Sequence, residues 1–333
     1  MRRAVRFAVG ATLGGSALSV YLLHVGVDEV VRRATAVAPW AVALVFALVV
    51  LEALADSIGV WASVKPLGDG LSPGQSVQFA LAGDFFDTLS PAGPVSSEPI
   101  MARFFGVATE TTYSEALGVR GLAKYVKAAA QLALSTVLVG VLLVGGVAPQ
   151  FVATTLVGAV LVLLVVGVAL VRGRVHVSKL LVIVFAPVVT RLSALYRDQP
   201  HDRDVVADAV ERLWARALHF RGEPGLVGLI VLGGLLEQVL TAGALWVALS
   251  GTGTAVALVP IVVVMPLPQA ASMVPVPASL GAYDLLLAGA LVVMTGAPLV
   301  SATAAVLVVR LFGLLVALAG GGLATGFLRG WRP

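Results

Sequence analysis

Ser90-Pro91-Ala92-Gly93-Pro94, followed by Glu98 and Arg103, breaks a membrane-length apolar stretch. A second stretch, Val274-Pro275-Val276-Pro277-Ala278, followed by Gly281 and Asp284, breaks another in the same way. Proline and glycine leave backbone polar groups without helical partners, and hydrocarbon has nothing to offer them. Such breaks persist at membrane depth only where protein or a water-filled cavity covers them. Two of them in corresponding halves of a chain point to a transporter-like binding site between the halves. Each is preceded by an apolar helical segment and followed by a helix with a cation in apolar surroundings, Arg120 in the first case and Arg310 in the second.

Composition agrees. The chain is 59% hydrophobic and 12% charged, with a mean hydropathy of +1.00, whereas a soluble domain carries about 25% charged residues. The missing charge implies lipid contact and an all-α polytopic membrane protein. The 36 glycines suit close helix packing in lipid. With no cysteine, disulfides, thiolate metal sites and a cysteine nucleophile are excluded. The net charge of +4 sits in membrane-flanking positions and is no nucleic-acid signature. The four histidines are scattered without metal-ligand spacing. No P-loop, nucleophile elbow, HExxH or dinucleotide fingerprint is present. The expectation is therefore a non-enzyme without cofactor or metal, with no ATP-driven mechanism within the chain.

Apolar runs predict spans at 4–24, 39–64, 121–146, 150–171, 224–250 and 299–327. The interrupted runs 75–105 and 255–297 read as re-entrant or broken hairpins, giving about six full transmembrane helices plus two hairpins. The alternative makes 255–297 a pair of full spans, eight crossings in all. Lysine and arginine flank one side: Arg2, Arg3 and Arg6 at the start, a cluster over 172–223, and Arg329 and Arg332 at the end. Loops 145–150 and 250–254 have none. This bias predicts a cell-membrane protein with both termini cytoplasmic. An odd number of spans separates the hairpins, so they enter from opposite sides, as an inverted repeat requires. The chain then reads as one membrane domain, 1–333. Repeat 1 covers 39–146 with hairpin 75–105, and repeat 2 covers 224–327 with hairpin 255–297. Between them, 172–223 forms a cytoplasmic segment. Its residues 203–221 read as an amphipathic helix on the membrane surface.

Intramembrane charges cost about 2.5–3.5 kcal/mol each at the bilayer centre and call for a role. Arg120, Lys124 and Lys127 stand at i, i+4 and i+7, on one helix face. They form either a cationic wall for a phosphate headgroup or, for the two lysines, an interfacial anchor. Arg310 is flanked by apolar sequence on both sides and needs a partner, for which Asp284 is the first candidate. Glu98 is placed to pair Arg120 or to meet a headgroup, and Arg103 to grip a phosphate through its guanidinium fork. Glu52, Asp84 and Asp87 are candidate coupling carboxylates. Asp56, four residues after Glu52, reads better as a helix-end residue. Pro91, Gly93, Pro275, Pro277 and Gly281 form the hairpin turns.

The stretch Phe79 to Arg103, with Asp87, Ser90-Pro91-Ala92-Gly93-Pro94, Glu98 and Arg103, resembles the signature of the flippase-like integral membrane family, the transmembrane region of lysylphosphatidylglycerol synthases. Pro275-Val276-Pro277-Ala278-Ser279-Leu280-Gly281-Ala282-Tyr283-Asp284 is similar to that family's second turn. The resemblance covers nearly the whole chain, and Arg120 and Arg310 fall where the family carries its arginines. It departs at Asp87, where asparagine is usual, at Ser96-Ser97, which replace a glycine, at Ala278-Ser279, which replace two more, and at Asp284, where glutamate is usual. What it implies is an inverted-repeat fold that moves anionic phospholipid or polyprenyl-phosphate-linked lipid between leaflets. It covers the membrane region without the aminoacyl-transferase domain, so lysyl transfer is not implied. The competing expectation is a non-transporting partner of a separate glycosyltransferase or lipid-modifying enzyme.

Overall fold

The computed structural model describes residues 16, 19–90, 94–180, 182, 183, 203–269 and 281–328. Among these the chain is helical, with no strand. The elements, in order, are α1 (Val27–Thr35), α2 (Pro39–Val64), α3 (Pro73–Leu89), α4 (Pro94–Ala108), α5 (Tyr113–Val144), α6 (Gln150–Arg172), α7 (Arg203–His219), α8 (Pro224–Gly251), α9 (Leu258–Val264), α10 (Ala282–Thr295) and α11 (Leu299–Gly326). Five of them, α2, α5, α6, α8 and α11, are long and apolar enough to cross a membrane. Most of the first expected span, 4–24, lies outside the described residues, as do Pro91, Gly93, Pro275 and Pro277. On α6, Val162 and Val165 are 64% and 67% exposed, and a contiguous apolar surface of that kind marks contact with lipid.

Local chemistry sets the boundaries. Ser72 caps α3 in a box with Gln75, and Pro73 follows at the first helical position. The helix stops at Ser90, which is extended (φ −77°, ψ 138°) because the proline that follows disfavours the helical region. Thr112 and Glu115 form a second capping box and start α5 at Tyr113, not at 121 as hydropathy alone predicts. Arg120, Lys124 and Lys127 therefore sit inside a 32-residue helix and not at its edge. Before α10, Gly281 has φ +82°, a conformation that favours glycine, and its N–H donates to Asp284 Oδ2 at 3.0 Å. At 17, 15 and 14 residues, α3, α4 and α10 measure about 21–25 Å at 1.5 Å per residue, shorter than a hydrocarbon core of about 30 Å.

The centre is the α2–α8 pair. A Cβ at Gly233 would lie 2.9 Å from the Gly59 nitrogen, one at Gly243 3.8 Å from Leu48, and one at Gly251 2.6 Å from the Ala41 Cβ. Position rises along one helix as it falls along the other, so the pair is antiparallel and approaches backbone to backbone through small residues. Around it, neighbouring helices pack on one another. Helices α3 and α4 pack on each other, and α4 packs on α5; likewise α9 packs on α10, and α10 on α11. Across the halves, α3 packs on the end of α11, and α9 packs on α5.

Helix α7 uses its apolar side against the protein. A Cβ at Gly118 of α5 would meet the Leu213 carbonyl at 2.5 Å. Arg216 of α7 donates to Glu115 Oε1 at 2.8 Å and to the Pro66 carbonyl at 3.3 Å. The helix expected on the membrane surface is thus docked on α5.

Candidate functional site

Two large apolar clusters make up most of the core among the described residues, with a small third around Val182, Val206 and Val210. One joins Val60, Phe79, Phe105, Val119 and Ile230; the other joins Val45, Leu245, Ile261, Leu291 and Ala305. On α2, α5 and α8 the stretches between these clusters carry polar side chains among apolar ones: Glu52 and Asp56, then Lys127 and Gln131, with Lys124 one turn earlier, then Glu237 and Gln238. A polar belt therefore crosses the bundle between two dry layers.

Helix α5 supplies its spine. Arg120, Lys124, Lys127, Gln131 and Ser135 repeat at intervals of three to four and share one face. Arg120 is 7% exposed. Its Nε and Nη2 donate to the two oxygens of Glu98 at 3.2 and 3.0 Å, a fork-on-carboxylate pair. Its Nη1 donates to Ser63 Oγ at 3.4 Å, and its guanidinium lies 5.0 Å from the Phe105 ring. Lys124 sits 3.2 Å from Glu98 and 3.7 Å from Asp87, whose other oxygen accepts from Ser97. Lys127 donates to Asp56 at 2.7 Å and also pairs with Glu237, joining the two central helices. Gln131 donates to the Gly234 carbonyl at 2.9 Å and accepts from Gln269 at 3.2 Å. Gln238 donates to Ser135 Oγ at 2.8 Å and to the Val262 carbonyl at 2.9 Å.

The second half carries a parallel arrangement. Asp284, 2% exposed, opens α10 much as Glu98 stands near the start of α4. Its Oδ1 faces Arg310 Nε at 3.7 Å, and the Arg310 guanidinium lies 5.4 Å from the Tyr283 ring. Each half thus presents one arginine to a carboxylate and an aromatic ring. The two differ in tightness: Arg120–Glu98 is closed and two-pronged, whereas Arg310–Asp284 is loose and borders open space.

That space consists of two cavities. One, of about 220 Å³, is lined by Glu52, Glu237, Gln238, Tyr283, Asp284 and Arg310 among others. Its neighbour, of about 200 Å³, is lined by Glu52, Asp84, Asp87, Arg310 and the Val316–Ala317 segment. They meet at Val49, Glu52, Arg310 and Gly313. The π turn Val316–Gly320 in α11 borders the second, and π turns are frequent at functional sites.

Of the residues singled out by sequence, Glu98, Arg120, Lys124 and Asp87 are gathered in one cluster, while Glu52, Asp84, Asp284 and Arg310 border the cavities. Arg103 falls elsewhere: it is exposed on α4 and makes no ion pair or hydrogen bond among the described residues. Arg120 lines neither cavity, so the three arginines do not surround one chamber. Asp56 is no helix-end residue but one of three members of a largely shielded ion triad with Lys127 and Glu237. Its link to Glu237 through Lys127 was missed because the partners are far apart in sequence; Gln131 and Ser135, continuing the Arg120 face, were the available clue. Among the described residues no group of three or more histidine, cysteine or carboxylate side chains is placed to hold a metal ion.

The sequence matches the family described as the lysylphosphatidylglycerol synthase TM region over residues 4–321. The chain belongs to this family. No curated protein and no solved structure matches it. Membership and the five long apolar helices together make it a multi-pass membrane protein.

The belt's charge balance bears on what it can bind. Among the described residues it holds seven carboxylates (Glu52, Asp56, Asp84, Asp87, Glu98, Glu237, Asp284) and four cations (Arg120, Lys124, Lys127, Arg310). Every cation has a carboxylate within 4 Å. Glu52 and Asp84 have no hydrogen bond or ion pair among the described residues. The belt is therefore not the cationic wall that the lysine and arginine spacing predicts.

Proposed function

We propose that the protein moves a phosphate-bearing lipid, an anionic phospholipid or a polyprenyl-phosphate-linked lipid, between leaflets, as a transporter and not an enzyme. The observation that carries this is Arg310, held loosely by Asp284 at 3.7 Å where two cavities meet in a chain of membrane-spanning helices. A phosphate entering there gains a guanidinium partner in a low-dielectric site, while its acyl or polyprenyl tails stay in lipid.

The proposed architecture is an inverted repeat of α2–α5 and α8–α11, with α3–α4 and α9–α10 as re-entrant hairpins. The antiparallel α2–α8 pair, the reciprocal packing of each hairpin on the other half's last helix, and the matched arginine–carboxylate–aromatic sets support it. The difference between the halves then has a meaning. With Arg120 closed on Glu98 and Arg310 open to a cavity, the protein stands in one of two states, and rocking exchanges which arginine is available.

The test is leaflet redistribution of a fluorescent phosphatidylglycerol in vesicles containing the purified protein. Arg310→Ala and Arg120→Ala should each reduce movement at least tenfold while the protein stays monodisperse in detergent. Full movement in Arg310→Ala would sink the assignment. Stable co-purification with a glycosyltransferase or lipid synthase, with no lipid movement, would favour a partner subunit instead.

A further inference from the structure

The lipid phosphate is not alone in wanting Arg310. In this structure the guanidinium faces Asp284, and the cavities it borders also present Glu52, Asp84 and Glu237. If a phosphate engages Arg310, Asp284 shares or loses its only cation among the described residues, and Glu52 gains none. Carboxylates left without a counter-charge at membrane depth are costly, so binding of the anion raises the demand for a positive charge in the same space.

The groups facing Glu52 narrow where that charge would go. From α8 comes Glu237, already shared with Lys127, and from α2 itself Asp56, held by the same lysine. From α3 come Asp84 and Asp87, the latter held by Lys124; from α10 come Tyr283 and Asp284; from α11 comes Arg310. Glu52 is the one carboxylate that borders both cavities. A second observation points the same way. Gln238, 3% exposed and lining the first cavity, has an enclosed Oε1 with no hydrogen-bond donor, although its Nε2 donates twice and fixes the amide's orientation. An amide oxygen without a donor, on a residue that lines the same cavity as Glu52, Glu237 and Asp284, adds an unused oxygen acceptor to that set.

We infer that Glu52, with Gln238 and Asp284 lining the same cavity, binds a monovalent cation that enters when a lipid phosphate takes Arg310, so that anion and cation move together. This inference rests on the transport reading above and adds its coupling. By linkage the two ligands strengthen each other's binding by one common factor. One phosphate charge against one cation keeps the loaded site electrically balanced. The occupant is a proton or a sodium ion, since either meets the same oxygens.

The experiment uses vesicles holding the full chain and a fluorescent phosphatidylglycerol, read as its steady-state ratio between leaflets. A gradient of one pH unit or a tenfold sodium gradient is imposed separately, with the membrane potential clamped. One-to-one coupling moves the ratio by up to tenfold toward the leaflet facing away from the cation-rich side. A response to pH alone identifies a proton, and a response to sodium alone identifies sodium. Glu52→Gln should abolish the gradient response and Glu52→Asp should retain part of it, with size-exclusion profiles confirming that both fold. Lipid movement indifferent to both gradients overturns the coupling and leaves transport standing, as does an undiminished response in Glu52→Gln. Absence of any movement in the wild type overturns transport and coupling together.

Discussion

Lys127 is the residue on which the centre of the molecule depends. Its ammonium is shared by Asp56 on one central helix and Glu237 on the other, and all three side chains are largely shielded. Removing one member of such a group strands the rest, at a cost of about 3–5 kcal/mol. Lys127→Met should therefore lower the thermal unfolding midpoint in detergent sharply. The triple variant with Asp56→Asn and Glu237→Gln should recover most of the loss, because it strands no charge; equal loss in the single and triple variants would show that packing and not charge was removed. The contrast with Arg310 explains what the sequence could disclose about single residues. Arg310 lies in apolar sequence with few acidic neighbours, so Asp284 followed as its partner from scarcity alone. Lys127 had many possible partners, and only the antiparallel docking of α2 on α8 brings Asp56 and Glu237 level with each other. Arg103 misses the site for the opposite reason: it shares a helix with Glu98, but five residues further on it stands about 140° round that helix from Glu98.

At the scale of elements, consecutive glycines in α8 do two separate jobs. Gly233 lets the α2 backbone approach, with an added Cβ only 2.9 Å from the Gly59 nitrogen, and Gly234 makes room for the Lys127 stem, with an added Cβ 2.7 Å from its Cγ. Gly228, one to two turns earlier in the same helix, has nothing within 4 Å of that position. Gly233→Ala should destabilise by about 1–3 kcal/mol, since backbone cannot shift aside as a side chain can. Gly228→Ala should be neutral or stabilise by up to about 1 kcal/mol through helix propensity. Thermal unfolding of the two variants side by side checks this, and a matching response would remove the case for close helix approach. Long helices were legible because twenty apolar residues have few other uses. Their starts were less so: hydropathy placed α5 at 121, while the Thr112–Glu115 capping box, readable in principle, places it at Tyr113. Amphipathicity located α7 but could not say that it would dock on α5, because protein and lipid offer equally apolar surroundings.

For the whole molecule, the packing of α3 on the end of α11 joins what the proposed architecture treats as the first hairpin to the last helix of the other half. Gln78 donates to the Ala324 carbonyl at 3.0 Å there, and the π turn lies just before the contact in α11. If the halves rock about the α2–α8 pair, displacement is small at that pair and large at this periphery. The absence of native cysteine makes introduced thiol pairs the only reactive ones. Gln78→Cys with Ala324→Cys, bridged by a short reducible thiol cross-linker, should arrest lipid movement in vesicles, and reduction should restore it. Leu48→Cys with Gly243→Cys, bridged in the same way where α2 meets α8, should leave movement within about twofold of the unbridged protein. Undiminished movement with the hairpin tied to α11 would mean that these elements travel as one body, and the exchange between arginines would have to arise from side chains alone. Arrest by both bridges would place the moving boundary at α2–α8 itself, and that helix pair would then be a sliding surface and not a pivot.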